Sequence, residues 1–348
     1  MSLAHAGLTV GGRPSLASWR RLTAALDDVT SAGLAPELLA VEAACAGWPD
    51  ALRLAPGRWL RTRLEGRPEP RLQVARAVDL ELVGAKVADR HAWADAPELA
   101  AATVLRVHDE RASAGLDRWL AGPNNATCRE LTLALGLGDA DVARLVEDPR
   151  LAGVRRLGLF RNAIGPPGLA ALLASPRLGS LRALLLGRNQ LGEPGAAALA
   201  GATALRGLDL LDLDCDRLGG PAIATLADAP LLADVRVLNL SNNPIGSAGC
   251  AALAGSSRLG ALEVLYLHGC DLDDDAVAEL ARAPWLARLR NLALSANRLT
   301  MRTVGRLADL CGHELAELDI CHNSFSATQA EPVLRAAPRL AGLGRLCL

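Results

Sequence analysis

Residues 235–261 read VRVLNLSNNPIGSAGCAALAGSSRLGA. The segment holds no histidine, no lysine and no obvious catalytic group, yet its apolar residues fall at fixed intervals. Displacing the sequence against itself shows that the intervals extend well beyond it. Val154, Leu181, Leu208, Val235, Leu262 and Leu289 stand 27 residues apart, and each precedes apolar residues three and five positions on. Leu315 and Leu343 continue the series with steps of 26 and 28. Eight positions into each unit come Asn162, Asn189, Asp216, Asn243, Cys270, Asn297 and Asn323. Two further on stand Ile164, Leu191, Leu218, Ile245, Leu272, Leu299 and Phe325. A period of this size is the mark of stacked supersecondary units.

Within one unit, VRVLNL predicts a short strand, with Leu238 and Leu240 on the same side because they are two apart. Asn243 falls where a tight turn needs a side chain to satisfy bent backbone amides. Gly246 and Gly249 are expected to loosen the chain before a helix in CAALAGSSRL. Ala251, Leu253 and Ala254 would give that helix a narrow apolar stripe. One such unit cannot bury its leucines alone, so neighbours must stack into a continuous core.

The pattern Leu-x-x-Leu-x-Leu-x-x-Asn-x-Ile-Gly-x-x-Gly, followed by a helix, resembles the leucine-rich repeat of the ribonuclease-inhibitor type. That repeat also occurs in NOD-like receptors and in GTPase-activating proteins of the Ran system. RLGLFRNAIGPPG, ALLLGRNQLGEPG and VLNLSNNPIGSAG are the closest units, and the resemblance covers about residues 128–348. Cys270 at the asparagine position is a variant within the family, and Asp216 departs mildly from it. The resemblance implies an α/β leucine-rich repeat solenoid, with a curved parallel sheet inside, helices outside and a horseshoe-like form.

The first part of the chain is less regular. SLASWRRLTAALDDVT and APELLAVEAACAG read as helices starting at Ser15 and Pro36. Weak echoes of the repeat follow, with Leu80 and Leu82 one period ahead of Leu105 and Val107. Leu52 and Leu54 form a fainter echo, from which GRWLRTRLEGRPEPR departs. Trp19, Trp48, Trp59, Trp93 and Trp119 all fall in this region, as suits an irregular cap. The expected organisation is a helical or irregular N-terminal cap over 1–76, degenerate repeats over 77–127 and regular repeats over 128–348. A separate all-helical domain is the competing arrangement.

Composition narrows the function classes. Net charge is −1, so no general attraction to nucleic acid or an anionic membrane is expected. Lys86 is the sole lysine, which excludes a Walker-type phosphate loop and suggests a GC-rich bacterial genome. The N-terminus MSLAHAGLTVGG lacks the basic start and apolar run of a signal peptide, and no stretch approaches the ~20 apolar residues of a membrane helix. Cys45, Cys128, Cys215, Cys250, Cys270, Cys311, Cys321 and Cys347 form no Cys-x-x-Cys pair. They read as structural thiols in a reducing cytoplasm, with neither disulfide nor metal.

Three clusters could carry chemistry. Asp212 and Asp214 flank Leu213 and should share the concave face about 6–7 Å apart, open to acid–base or metal chemistry but also to a solvated acidic strip. Asp273, Asp274 and Asp275 start a helix, where acids cap free amides and complement the dipole. Tyr266 and His268 point inward at the centre of the array, in columns with Asn239, Ser241, Ala293 and Ser295. Asp319 and His322 lie two strands on, roughly 10 Å away, too far for a catalytic His–Asp pair.

What remains is a surface. Arg155, Arg156, Arg161, Arg182 and Arg188, with Phe160 among them, precede Asp209, Asp212, Asp214, Glu263, Glu317 and Asp319. A face basic at one end and acidic at the other would orient a partner. The sequence therefore points to a non-catalytic, cytoplasmic protein-interaction module or scaffold with no cofactor. Its expected contacts are Tyr266, His268, Asp212, Asp214, Asn239, Arg155, Arg156, Arg182, Arg188, Phe160 and Asp319 on the concave face. The alternatives are an activator-type regulator of a small GTPase, by resemblance, or an inhibitor of a partner enzyme. With Arg345 deterring pairing at the last strand and the preceding helix shielding it, the free chain is expected to be a monomer.

Overall fold

The structure, a computed structural model, describes residues 14–65, 67–81, 89, 91–94, 96–109, 113–122, 128–310 and 314–348. The chain is an α/β solenoid that divides into two compact units. One comprises Met1–Gly136 with Asp148–Arg155, the other Leu137–Glu147 with Arg156–Leu348. Cys311, Lys86 and Leu82 lie outside the described residues.

The first unit opens with helix α1 (Leu16–Asp27), capped as expected by Ser15, whose hydroxyl accepts the Ser18 amide at 3.1 Å. Helix α2 (Ser31–Ala44) differs from expectation: it begins at Ser31, and Pro36 lies inside it. Proline forfeits one helical hydrogen bond, but its fixed φ fits the helix, and the Ala and Leu residues around it favour that conformation. GRWLRTRL forms α3 (Gly57–Leu64). Strands β1 (Ala77–Glu81) and β2 (Val104–His108) follow, then α4 (Ser113–Ala121) and β3 (Glu130–Ala134). Ala77 pairs with Val104 and Val104 with Glu130, so parallel register advances by 27 and then 26 residues. Leu54 makes one further parallel bridge to Ala77, which accounts for the faintest echo in the sequence. Trp19, Trp59, Trp93 and Trp119 are fully buried here.

The second unit alternates strand and helix. Helix α5 (Asp139–Leu145) leads to β4 (Arg156–Gly158), α6 (Pro166–Ala174), β5 (Ala183–Leu185) and α7 (Gly192–Ala200). Then come β6 (Leu210–Asp212), α8 (Gly220–Ala227), β7 (Val237–Asn239), α9 (Gly246–Gly255), β8 (Val264–Tyr266) and α10 (Asp274–Leu280). The last elements are β9 (Asn291–Ala293), α11 (Met301–Leu310), β10 (Glu317–Asp319), α12 (Ala327–Ala336) and β11 (Arg345–Cys347). Each strand pairs in parallel with the next, so Leu184, Leu211, Leu238, Leu265 and Leu292 form one row, 27 residues apart. The steps of 26 and 28 carry the row to Leu318 and Leu346. From Leu157 to Leu292 the row is fully buried, each leucine contributing about 1.5–3 kcal/mol of apolar transfer.

The asparagine column ties each repeat to the one before it. Asn243 Oδ1 accepts the amides of Asp216 and Leu218 at 3.0 and 2.9 Å. Its Nδ2 donates to the carbonyls of Leu213, Leu240 and Ser241 at 2.8, 2.9 and 3.1 Å. Asn297 repeats the set with Cys270, Leu272, Leu267, Leu294 and Ser295. The amides satisfied thus belong to the preceding repeat, not to the asparagine's own turn. Cys270, in the same column, keeps two bonds of the pattern, from Sγ to the carbonyls of Leu240 and His268 at 3.3 and 3.4 Å.

The helix in the founding stretch also starts earlier than its sequence suggests. Gly246 has φ +58°, a left-handed conformation that favours glycine. Gly249 lies inside α9, where a Cβ would come within 2.3 Å of Ile245 Cγ2, so it allows close packing and does not loosen the chain. Cys250, Leu253 and Ala254 face the core, while Ala251 is exposed. Positions i, i+3 and i+4 share a helix face, and 251 is one residue out of that stripe.

Candidate functional site: the open face of the second unit

In β6, β7 and β8 the central residue is buried and its two neighbours half-exposed. Strand geometry sends alternate side chains to opposite faces, so the neighbours form columns on the face away from the core. Parallel register aligns Asp212, Asn239, Tyr266 and Ala293 side by side, then Asp319 and Cys347. Two residues on, the next column holds Asp214, Ser241, His268, Ser295 and Cys321.

Several column residues also close their own strands. Asp212 accepts the Asp214 amide at 3.0 Å, Asn239 the Ser241 amide at 3.0 Å, and Asp319 the Cys321 amide at 3.2 Å. These are Asx turns, which a short polar side chain makes and tyrosine or alanine cannot. Asn239 Nδ2 donates to Asp212 at 3.0 Å, and Asn242 Nδ2 to Asp214 at 2.6 Å. Arg188 reaches Asp214 at 3.3 Å. Burial pushes the Asp212 carboxyl up, and the charge of Asp214 adds to that, against the hydrogen bonds from the Asp214 amide and Asn239. The two aspartates are therefore fixed in a network before any ligand arrives.

Asp216 lies behind this strip in the asparagine column, fully buried. Its Oδ1 accepts the Asn189 amide at 2.8 Å, but Oδ2 meets no partner among the described residues. Burial pushes this carboxyl up to about 8, reinforced by the charges of Asp212 and Asp214 and opposed by the Asn189 amide. A neutral acid here most closely imitates the asparagine it replaces.

The second cluster surrounds a hollow of about 330 Å³ lined by Tyr266, His268, Ser295, Asp319 and Cys347 among others. His268 and Asp319 do not touch, as strand spacing predicts, yet they are connected. Ser295 Oγ donates to Asp319 Oδ2 at 2.8 Å and lies 3.0 Å from His268 Nδ1. The single hydroxyl proton goes to the carboxylate, so Ser295 offers a lone pair to a protonated Nδ1. A nucleophilic triad needs histidine between serine and acid; here serine is in the middle and acts as a connector. Partial burial opposes ionisation of Asp319, but hydrogen bonds from Cys321 and Ser295 outweigh it and hold its carboxyl below the usual range. Ser295 was visible in the sequence only as a column neighbour, since one-dimensional spacing does not show bridging. His322 is exposed and left-handed, with φ 56°.

The basic residues are more dispersed than expected. Arg156 and Phe160 are half-buried at β4, while Arg182 is exposed and donates to its neighbour's carbonyl, Leu181, at 2.8 Å. Arg161 and Arg188 sit in left-handed turns beyond their strands, with φ 55° and 63°. Arg155 belongs to the first unit, where its amide bonds the Arg129 carbonyl at 2.7 Å. The column entering the strands reads Arg182, Asp209, Arg236, Glu263 and Arg290, and Arg236 pairs with Glu263 at 3.3 Å. Charge along this column alternates instead of dividing into basic and acidic halves, because Arg236 and Arg290 interrupt the acidic end.

Other sequence expectations fall outside the face. Asp273 caps α10, its Oδ1 accepting the Ala276 amide at 2.8 Å, and that bond holds its carboxyl below the usual range. Cys45, Cys128, Cys250 and Cys270 are buried free thiols, whereas Cys215 and Cys347 are exposed and Cys321 half-buried. These last three therefore do not fill core positions. Among the described residues no helix is long and apolar enough to cross a membrane.

A leucine-rich repeat family model matches residues 233–254, one repeat around the founding stretch. No curated protein matches the chain. Among solved structures, an internalin from Listeria monocytogenes is 17% identical over 80% of this chain and 76% of its own, with a TM-score of 0.39. The plant peptide hormone receptor RGFR1 in complex with RGF2 is 16% identical over 80% of this chain and 48% of its own, TM-score 0.34. The TLR13–ssRNA13 complex gives 17% over 79% and 36%, TM-score 0.41. The chain thus spans less than half the length of the last two. One parallel strand, one bridging side chain and one helix recur at a 27-residue step, and the family model falls on that step: the fold is a leucine-rich repeat solenoid.

Proposed function

We propose that the chain is a protein-interaction module whose partner docks on the open face of the second unit, centred on Tyr266 and His268. Asp212, Asp214, Asn239 and Asp319 lie beside them, with Arg156, Phe160, Arg182 and Arg188 toward the earlier strands of the same unit. The observation that carries this reading is Tyr266 itself. It is the only tyrosine of the chain, half-exposed beside Asn239 on the open sheet face and at the edge of a hollow. Large aromatics at such positions act as anchors that bury much area at little rotamer cost. The neighbouring aspartates are pinned by hydrogen bonds, so little ordering opposes docking. The 27-residue step and a helix in each repeat support the ribonuclease-inhibitor type, and the free thiols suit a reducing compartment.

The test is affinity purification from the native host with the wild type and with Tyr266→Ala. The single change should weaken the captured protein by about 2 kcal/mol and leave the melting temperature unchanged. Tyr266→Ala combined with Asp214→Ala should abolish capture. Retention of the same protein by the double variant, or capture of nucleic acid in its place, would overturn the proposal.

A further inference from the structure

We propose that Asp319, Cys321 and Cys347 form a binding site for a thiophilic divalent cation of the zinc class, on the open face beside the hollow. Parallel register sets Asp319 directly opposite Cys347 on the adjacent strand. Cys321 follows Asp319 by two residues and so returns to the same face. One carboxylate oxygen and two sulfurs consequently lie within 4.8 Å of one another. A tetrahedral ion with bonds of about 2.0–2.3 Å spaces its ligands roughly 3.5 Å apart.

The donor set determines which ion fits. Two thiolates and a carboxylate favour zinc and its softer analogues over magnesium or calcium, which require oxygen cages. Three protein ligands leave a fourth position, and the hollow of about 330 Å³ gives it room for water or a ligand atom. The carboxylate is already oriented: Ser295 Oγ bonds Oδ2 and the Cys321 amide bonds Oδ1, and His268 stands behind Ser295. Supporting hydrogen bonds of this kind orient a metal's ligands. On binding, each thiol releases its proton to solvent as its sulfur bonds the cation, and the ion's two charges offset the two thiolates. The site does not depend on a protein partner, so the ion alone is the probe.

Co²⁺ titrated into the reduced full-length chain should give sulfur-to-metal charge-transfer absorbance that saturates at one equivalent and disappears on adding Zn²⁺. Cys321→Ser with Cys347→Ser should abolish it, and Asp319→Asn should weaken binding about tenfold or more. Cys215→Ser, at an exposed thiol elsewhere, should leave it unchanged. In the wild type, Zn²⁺ should protect Cys321 and Cys347 from iodoacetamide while Cys215 stays reactive, a readout that needs no variant. Absorbance that survives the double variant, or alkylation of both thiols unaffected by Zn²⁺, would overturn the proposal.

Discussion

Each of the two units buries an apolar core, but they hold their backbones in register by different means. In the second, one side chain per repeat does the work, and the same bonds recur from Asn243 to Asn297. In the first, each connection is particular to its place. Trp19 Nε1 donates to the Leu54 carbonyl at 2.6 Å, and Trp59 Nε1 to Asp27 at 2.7 Å. Arg53, 2% exposed, gives Nε and Nη2 to the Val74 carbonyl at 3.0 and 2.6 Å and pairs with Glu42. Arg150 lies 3.9 Å from the Trp119 ring and donates to the carbonyls of Trp119 and Gly122. A repeated solution leaves a period in the sequence. A set of single solutions leaves none, although the strands β1, β2 and β3 keep nearly the same step.

The largest effect should come from breaking the repeated solution. Asn243→Ala strands two buried amides at about 1–3 kcal/mol each and frees three carbonyls as well. We expect a loss of about 4 kcal/mol, at least equal to that of Leu240→Ala, for which lost burial and a cavity predict about 2–5 kcal/mol. Urea unfolding measures both, and an Asn243→Ala protein as stable as wild type would remove the basis of the comparison. Next is the first unit's own device. Arg53→Met should cost about 3 kcal/mol by stranding the Val74 carbonyl. Glu42→Gln should cost under about 1 kcal/mol, since its side chain is 38% exposed and solvent screens the pair.

Asp216 sharpens the comparison in the opposite direction, because there a carboxyl replaces the amide of the ladder. Its folded carboxyl titrates near 8, against about 3.9 when unfolded. The folded chain therefore keeps a proton that the unfolded chain releases above about pH 4. This group's contribution is fully present below that pH and is lost as pH rises toward about 8. Asp216→Asn removes the slope and restores an amide donor. Its advantage over wild type should be absent near pH 4 and grow to a few kcal/mol by pH 8, at about 1.4 kcal/mol for each unit of displacement. Melting temperatures of both proteins across that range would show it, and a constant difference would mean Asp216 is ionised when folded. The smallest effect belongs to Arg258, whose exposed side chain lies off the ladder; Arg258→Ala should stay within about 0.5 kcal/mol.

What the sequence disclosed follows the same division. The leucine rows, the asparagine column and the α/β class were legible because every repeat states them again. The start of α2 was misplaced because a proline outweighed the helix-forming residues around it. The face was legible as columns but not as pairs: Arg188 with Asp214 and Arg236 with Glu263 replace the expected basic and acidic ends. Which side chains meet across strands depends on reach and rotamer, and a one-dimensional period carries neither. The same limit concealed Ser295 between His268 and Asp319, and the convergence of Cys321 and Cys347.

The bonds made by Asn243 reach back to residues 213, 216 and 218 and no further, and Asn297 reaches back to 267, 270 and 272. The founding stretch therefore makes the full set of these bonds with the repeat before it and receives a reduced set, from Cys270, from the repeat after it. A gene carrying residues 235–261 twice in tandem would encode a longer array with every old bond kept and one new set added. The open face would widen by about 4.8 Å, one strand spacing, and gain a second Asn239. The steps of 26 and 28 around β10 show that single-residue slack is absorbed in the connections while the strands stay aligned. Length in this protein is an editable quantity, counted in whole repeats.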